Sequence, residues 1–269
     1  MTQTSDATAA LGQVAAIGPF FTVRCGERAG ASDFRPLGEL HDPALLAPRV
    51  REFAERMGTP DLRVAASTMQ LGLVSRLWSA ALGSAVLAGW VPDLAPDRLY
   101  WRRPRDSGLE LWLPAPRFLP GPAARPARSG EPPEPGRHTG GDNGPDTGRV
   151  SELSGLAHTA VVGAHLGPLH ESVRRVSGLS PQVLRGNAGS GLVGAARVLL
   201  GRHPESFRLT TALVERLLAS EPLAGTGEFT AEEGLGTAFR RRSCCLYYRV
   251  VGRGGLCGDC VLHDRAARR

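Results

Sequence analysis

Four of the five cysteines in this 269-residue chain fall within seventeen positions, as Cys244, Cys245, Cys257 and Cys260 of the run CCLYYRVVGRGGLCGDC; the fifth is Cys25. Thiolates are soft metal ligands and redox nucleophiles, so such clustering is a chemical signal. Cys257-Gly-Asp-Cys260 is a C-x-x-C pair, a spacing at which one turn aims both sulfurs at a common metal while backbone N–H groups point toward the thiolates. Redox dithiols use the same spacing, but a second pair nearby makes a four-thiolate site the leading reading.

The adjacent pair Cys244-Cys245 discriminates further. Structural zinc is usually held by cysteines separated by about two to four residues, which lets two sulfurs converge without strain. In a regular strand neighbouring side chains point to opposite faces, so both sulfurs reach one site only if the chain turns at residues 243–245. A binuclear iron centre is more accommodating, because its thiolates are distributed over two irons and inorganic sulfides complete the coordination. His263 extends the second pair to Cys257-x-x-Cys260-x-x-His263, so a Cys/His zinc site stapling a binding module stays open, as does a vicinal disulfide at Cys244-Cys245.

The segment RRSCCLYYRVVGRGGLCGDCVLH, and its CCLYYR core above all, resembles the C-terminal signature of the FhuF-like ferric siderophore reductases, a vicinal Cys pair followed by Cys-x-x-Cys. Residues 71–92 and RGNAGS at 185–190 are also similar to that family. Eleven residues separate the pairs here, where the family usually has ten, and the additional one is assigned to the RGG turn at 253–255. The resemblance implies that Cys244, Cys245, Cys257 and Cys260 ligate a [2Fe-2S] cluster in a cytoplasmic reductase that passes one electron to Fe(III) held by a siderophore. Hard oxygen ligands favour Fe(III) over Fe(II), so reduction would loosen the chelate and release iron. It further implies a ferric siderophore as substrate, a protein or reduced flavin as electron donor, and at most transient contact with a membrane transporter. An iron–sulfur carrier or interaction protein that binds the chelate without turnover is the other reading compatible with the same cluster.

Arg240, Arg241, Arg242, Arg249 and Arg253 surround the cysteines and could stabilise negative charge there or attract an anionic donor or chelate. The alternative is that they are ordinary solvated arginines, because all 32 basic residues of this chain are arginine. Tyr247 and Tyr248 read as strand packing. Gly189-Ser-Gly191-Leu-Val-Gly194 matches the dinucleotide fingerprint formally, yet no strand precedes it, so tight helix packing is expected. His158, His165 and His170 lack the carboxylate spacing of a di-iron site and read as structural; Cys25 reads as a lone buried thiol.

The elements that must position these residues are mainly helical. Asp42-Pro43 starts a helix that Gly58 stops, and a second helical stretch begins near Asp61, continues or restarts at Ser79, and ends at Gly89. Residues 99–113 alternate as a hairpin around Asp106, Ser107 and Gly108. Residues 120–148 hold seven Pro and seven Gly and read as a flexible insertion. Helix resumes at Ser151 and is expected to break at Gly167-Pro168, to restart at Ser180-Pro181 and again after Pro204, and residues 245–251 have the composition of a strand. The expected fold is α+β, mostly helical with short strands and hairpins and a C-terminal cluster-binding segment. Its divisions are 1–119, 120–149, 150–236 and 237–269, acting as one functional unit.

A net charge of +6 without a nucleic-acid recognition motif argues against nucleic acid as a partner. The N-terminal residues lack the pattern of a secretory signal, and the apolar span at 77–91 is shorter than the roughly 20 residues a bilayer requires. A cytoplasmic location follows as the expectation, and there clustered cysteines favour metal or redox chemistry over disulfides.

Overall fold

The computed structural model describes residues 3–27, 33–104, 108–121, 146–250, 252 and 255–263. Helix α1 (Gln3–Ala15), absent from the sequence reading, buries Leu11 and Val14 and leads into strand β1 (Val23–Cys25). Helix α2 (Pro43–Met57) begins where Asp42 Oδ1 accepts the Ala44 N–H at 2.8 Å and ends at Gly58, whose φ of 67° reverses the chain. Helix α3 (Leu62–Ala88) is capped in the same way by Asp61 and Gly89. Short polar caps and glycines that tolerate positive φ explain why both boundaries are written in the sequence.

The apolar span at 77–91 proves to be part of this longer element. At 27 residues α3 is long and apolar enough to cross a membrane by length and composition alone, but 67% of its apolar window is buried inside the protein. It is the central core helix, apolar on all sides because other helices cover all sides. Its main neighbour is α6 (Pro181–Arg202), and at Gly191 a Cβ would stand 3.1–3.2 Å from Ser75 Oγ, Cα and N. The glycine-rich match therefore lies within a helix, where Gly191 allows two helix backbones to approach closely.

Helices α4 (Thr147–His158), α5 (Gly167–Ser177) and α7 (Phe207–Leu218) complete the helical body. The chain does not break at Gly167-Pro168. Thr159–Leu166 form a π-helical stretch that joins α4 to α5, and Leu166 and Gly167 keep right-handed helical angles. The wider turn changes the hydrogen-bond register where a proline ring would otherwise collide with a carbonyl, so the helix continues past it.

Strands β1, β2 (Arg35–Pro36), β3 (Tyr100–Arg102) and β4 (Glu110–Leu113) form a sheet in the order β1-β4-β3-β2. β3 and β4 are the expected hairpin arms, with Trp101 opposite Leu111, while β1 joins β4 in parallel, Val23 opposite Leu111. Asp106 and Ser107 of the expected turn, and residues 122–145 of the expected insertion, lie outside the described residues. Leu77 and Trp78 of α3, Leu184 and Leu192 of α6, and Leu37 are fully buried in a core that joins the sheet to the helices. The protein is mostly helical and α+β.

Candidate metal centre

A second sheet, the hairpin of β5 (Gly227–Glu232) and β6 (Gly236–Arg241), delivers the chain to the cysteines. Along β6 the period of two turns Phe239 and Arg241 inward and Arg240 outward. The strand ends there, and residues 245–250 do not continue it; Val251, the last of the expected strand, lies outside the described residues. Tyr247–Arg249 form a single 3₁₀ turn, and Leu246 adopts φ 67°, a left-handed conformation uncommon outside glycine. Ligand-like geometry has overridden strand composition: two adjacent thiols can serve one site only on a chain that turns.

That turn points the Leu246 N–H at Cys244 Sγ, 3.3 Å away, and carries Cys245 Sγ to 3.7 Å from Cys257 Sγ. Two sulfurs bound tetrahedrally to one metal at about 2.3 Å lie about 3.8 Å apart, so the Cys245–Cys257 separation already has a shared-metal value. On the C-x-x-C side the Cys260 N–H bonds Cys257 O at 3.0 Å and the Leu262 N–H reaches Cys260 Sγ at 3.4 Å. Cys245 and Cys260 are buried; Cys244 and Cys257 are partly exposed. Among the described residues no three His, Cys, Asp or Glu side chains form a compact group around a single metal position.

Electrostatics favour anionic sulfur at Cys245 and oppose it at Cys257 and Cys244. Arg241 is 1% exposed, donates from Nη2 to Asn187 Oδ1 at 2.7 Å, and its buried Nε has no hydrogen-bond partner among the described residues. Burial pulls its affinity for the proton down, while the nearby cysteines and Asp259 draw it back up. The shared hydrogen bond with Cys257, with help from Arg241, pushes Cys245 down to about 6. Cys257 is pushed up by that same bond and by burial, and burial also raises Cys244. The buried guanidinium, with its unpartnered Nε, and the paired sulfurs fit a cluster of net negative charge.

Behind the cysteines a buried polar network fixes the segment on the helical core. Ser67 Oγ of α3 donates to Cys245 O at 2.7 Å, and Asn187 Nδ2 of α6 donates to Ser67 O, Ser67 Oγ and Gln70 Oε1 at 2.8–3.0 Å. Ser243 Oγ donates to Gln182 O at 2.9 Å, and the Arg241 N–H bonds Asp259 O at 3.1 Å.

Residues 241–262 match the FhuF 2Fe-2S C-terminal domain. Among curated proteins, none matches the chain. The FhuF-type segment thus contains all four clustered cysteines, and its 2Fe-2S character agrees with the geometry around them.

The remaining sequence-selected residues have separate places. Arg242 pairs with Glu228 at 3.7 Å and Arg249 with Asp61 at 2.9 Å, both on the surface together with Arg240, whereas Arg253 lies outside the described residues. Among the described residues of the group, Arg241 alone is buried, and it faces the cysteines from inside. His263 Nε2 bonds Cys257 O at 2.9 Å, which ties the end of the segment back to the C-x-x-C turn. His158, His165 and His170 are hydrogen-bonded to Glu221 O, Leu94 O and Gln70 respectively. Cys25 is half-buried between sheet and core, and burial raises its thiol to about 11. Ser67, Gln70 and Asn187 escaped the sequence reading. Asn187 lay within the RGNAGS stretch, and the signal was a polar residue amid an otherwise small and apolar helix face.

Proposed function

We propose that this chain is a cytoplasmic [2Fe-2S] ferric-siderophore reductase in which Cys244, Cys245, Cys257 and Cys260 are the four cluster ligands. The observation that carries the reading is the meeting of the two cysteine pairs through Cys245 and Cys257, in a FhuF-type segment, beside an arginine that is fully buried. A bound [2Fe-2S] cluster supplies electrons one at a time. Around it the chain contributes charge and rigidity: the Leu246 and Leu262 N–H groups donate to sulfur, and Arg241 offsets the negative charge that reduction adds. Ser67 and Asn187 hold the segment in place, so that little reorganisation accompanies the change of charge.

The overall step takes one electron from a reduced flavin or a protein donor and delivers it to Fe(III) in the chelate. Fe(II) binds hard oxygen ligands more weakly and leaves. The test is a single turnover under nitrogen: the protein is reduced, freed of excess reductant and mixed with a ferric siderophore in the presence of a ferrous-specific chromogenic chelator. About one Fe(II) should be trapped per cluster, with matching return of the oxidised absorbance. A cluster that stays reduced against ferric hydroxamate and ferric catecholate alike would make the protein a carrier.

A further inference from the structure

Three consecutive residues of α3 connect the cysteine segment to a pair of cavities. Ser67 holds the Cys245 carbonyl, Thr68 lines a cavity of about 280 Å³ together with Tyr247 and Val250, and Met69 lines another of about 360 Å³. Phe53 and Arg56 belong to both linings, so the two cavities are neighbours on one side of α2.

The larger cavity is basic and aromatic. Arg35, Arg49, Arg56, Arg102 and Arg103 line it, against Asp33 and Glu52 as the carboxylates. Most of these charges are already balanced: Arg102 by Glu110 and Asp33, Arg49 by Glu52, and Arg35 by Glu39. Arg103 is not. Among the described residues it meets no carboxylate at ion-pair distance, and its guanidinium lies 4.0 Å over the Phe53 ring. Burial and the like charges of Arg56 and Arg76 hold it below its ordinary range, at about 10. Trp101, 5% exposed, lines the same cavity. Arginines with aromatic faces recognise planar anions, and a cavity of this size suits a small molecule.

We propose that this arginine-lined cavity, with its neighbour at Tyr247, binds an anionic ferric chelate of the aryl type, a catecholate, and so seats it beside the cluster segment. This rests on the reductase reading for its purpose, but the binding itself is independent of electron transfer. Neutral hydroxamate chelates lack both the charge and the rings that the lining would engage.

The experiment is calorimetric titration of the iron–sulfur-loaded protein with the gallium(III) complexes of a tris-catecholate and a tris-hydroxamate, which carry no reducible metal. The trianionic catecholate should bind at least tenfold more tightly, and Arg103→Gln should weaken it by roughly tenfold while leaving the visible spectrum unchanged. Arg56→Gln is the second variant, and Arg208→Gln, outside this lining, should change nothing. Equal binding of the two complexes, or catecholate binding indifferent to both cavity variants, would overturn the assignment. Failed reduction with intact gallium binding would instead remove the reductase reading and leave the site.

Discussion

Cys245 and Cys257, twelve positions apart, hold their sulfurs 3.7 Å from each other, closer than the spacing of either sequence pair would suggest. The contact joins one cysteine of the vicinal pair to one of the C-x-x-C pair, which brings the two motifs together.

That relationship predicts how ligand loss behaves. Cys245→Ser and Cys260→Ser should each leave less than about half of the wild-type iron and sulfide per chain, whereas Cys25→Ser, remote in the sheet, should leave both unchanged. Metal analysis of proteins purified under nitrogen is the check, and full cluster content in Cys260→Ser would remove that residue from the ligand set.

Arg241 should set the reduction potential. Removing a buried positive charge next to the cluster makes added negative charge harder to hold, so Arg241→Gln should lower the midpoint by on the order of 50–100 mV. Arg240→Gln, one position along but facing solvent, should shift it far less. Equal shifts in a redox titration would show that burial of Arg241 is irrelevant to the cluster.

Part of this site was legible in the sequence, and the reason differs residue by residue. The cysteine spacing announced metal chemistry because few other functions place thiols so densely. The caps at Asp42, Gly58, Asp61 and Gly89 are local devices, set by a side chain or a φ angle, and so they survive folding unchanged. Arg241 was hidden in a run of three arginines; only the alternation from Phe239 along β6 marks it as inward-facing. Continuity through Pro168 was illegible because the π-helical stretch answers to packing rather than to proline's local preference. The basic cavity is assembled from α2, α3, β2 with the residues before it, β3 and the loop after β3, which no sequence period brings together.

The glycines of α6 offer an internal control. Gly191→Ala places a methyl group 3.2 Å from the Ser75 backbone and should destabilise the fold by about 1–3 kcal/mol through overpacking of α3 against α6. Gly194 has nothing within 4 Å of an added Cβ, so Gly194→Ala should stabilise by about 0.5–1 kcal/mol. Chemical denaturation measures both, and destabilisation of similar size at the two positions would refute the packing account.

Acid should weaken the protein through its buried histidines. Burial lowers His165 and His170 to about 4, so both are neutral in the fold and bind protons more readily once it opens. Their contribution is fully present above the unfolded histidine value near 6.5 and is lost as pH falls from there toward 4. His165→Gln should flatten the fall in stability between pH 6.5 and 4; an unchanged slope would mean that other groups govern it.

The central claim is that the FhuF-type segment carries a two-iron cluster, and the most direct measurement is the visible spectrum of protein purified under nitrogen, with iron, sulfide and zinc assayed on the same sample. The account predicts red-brown protein with about two irons and two sulfides per chain. Colourless protein with about one zinc per chain and no sulfide, unchanged after attempted cluster reconstitution, would contradict it and identify a zinc-stapled module instead.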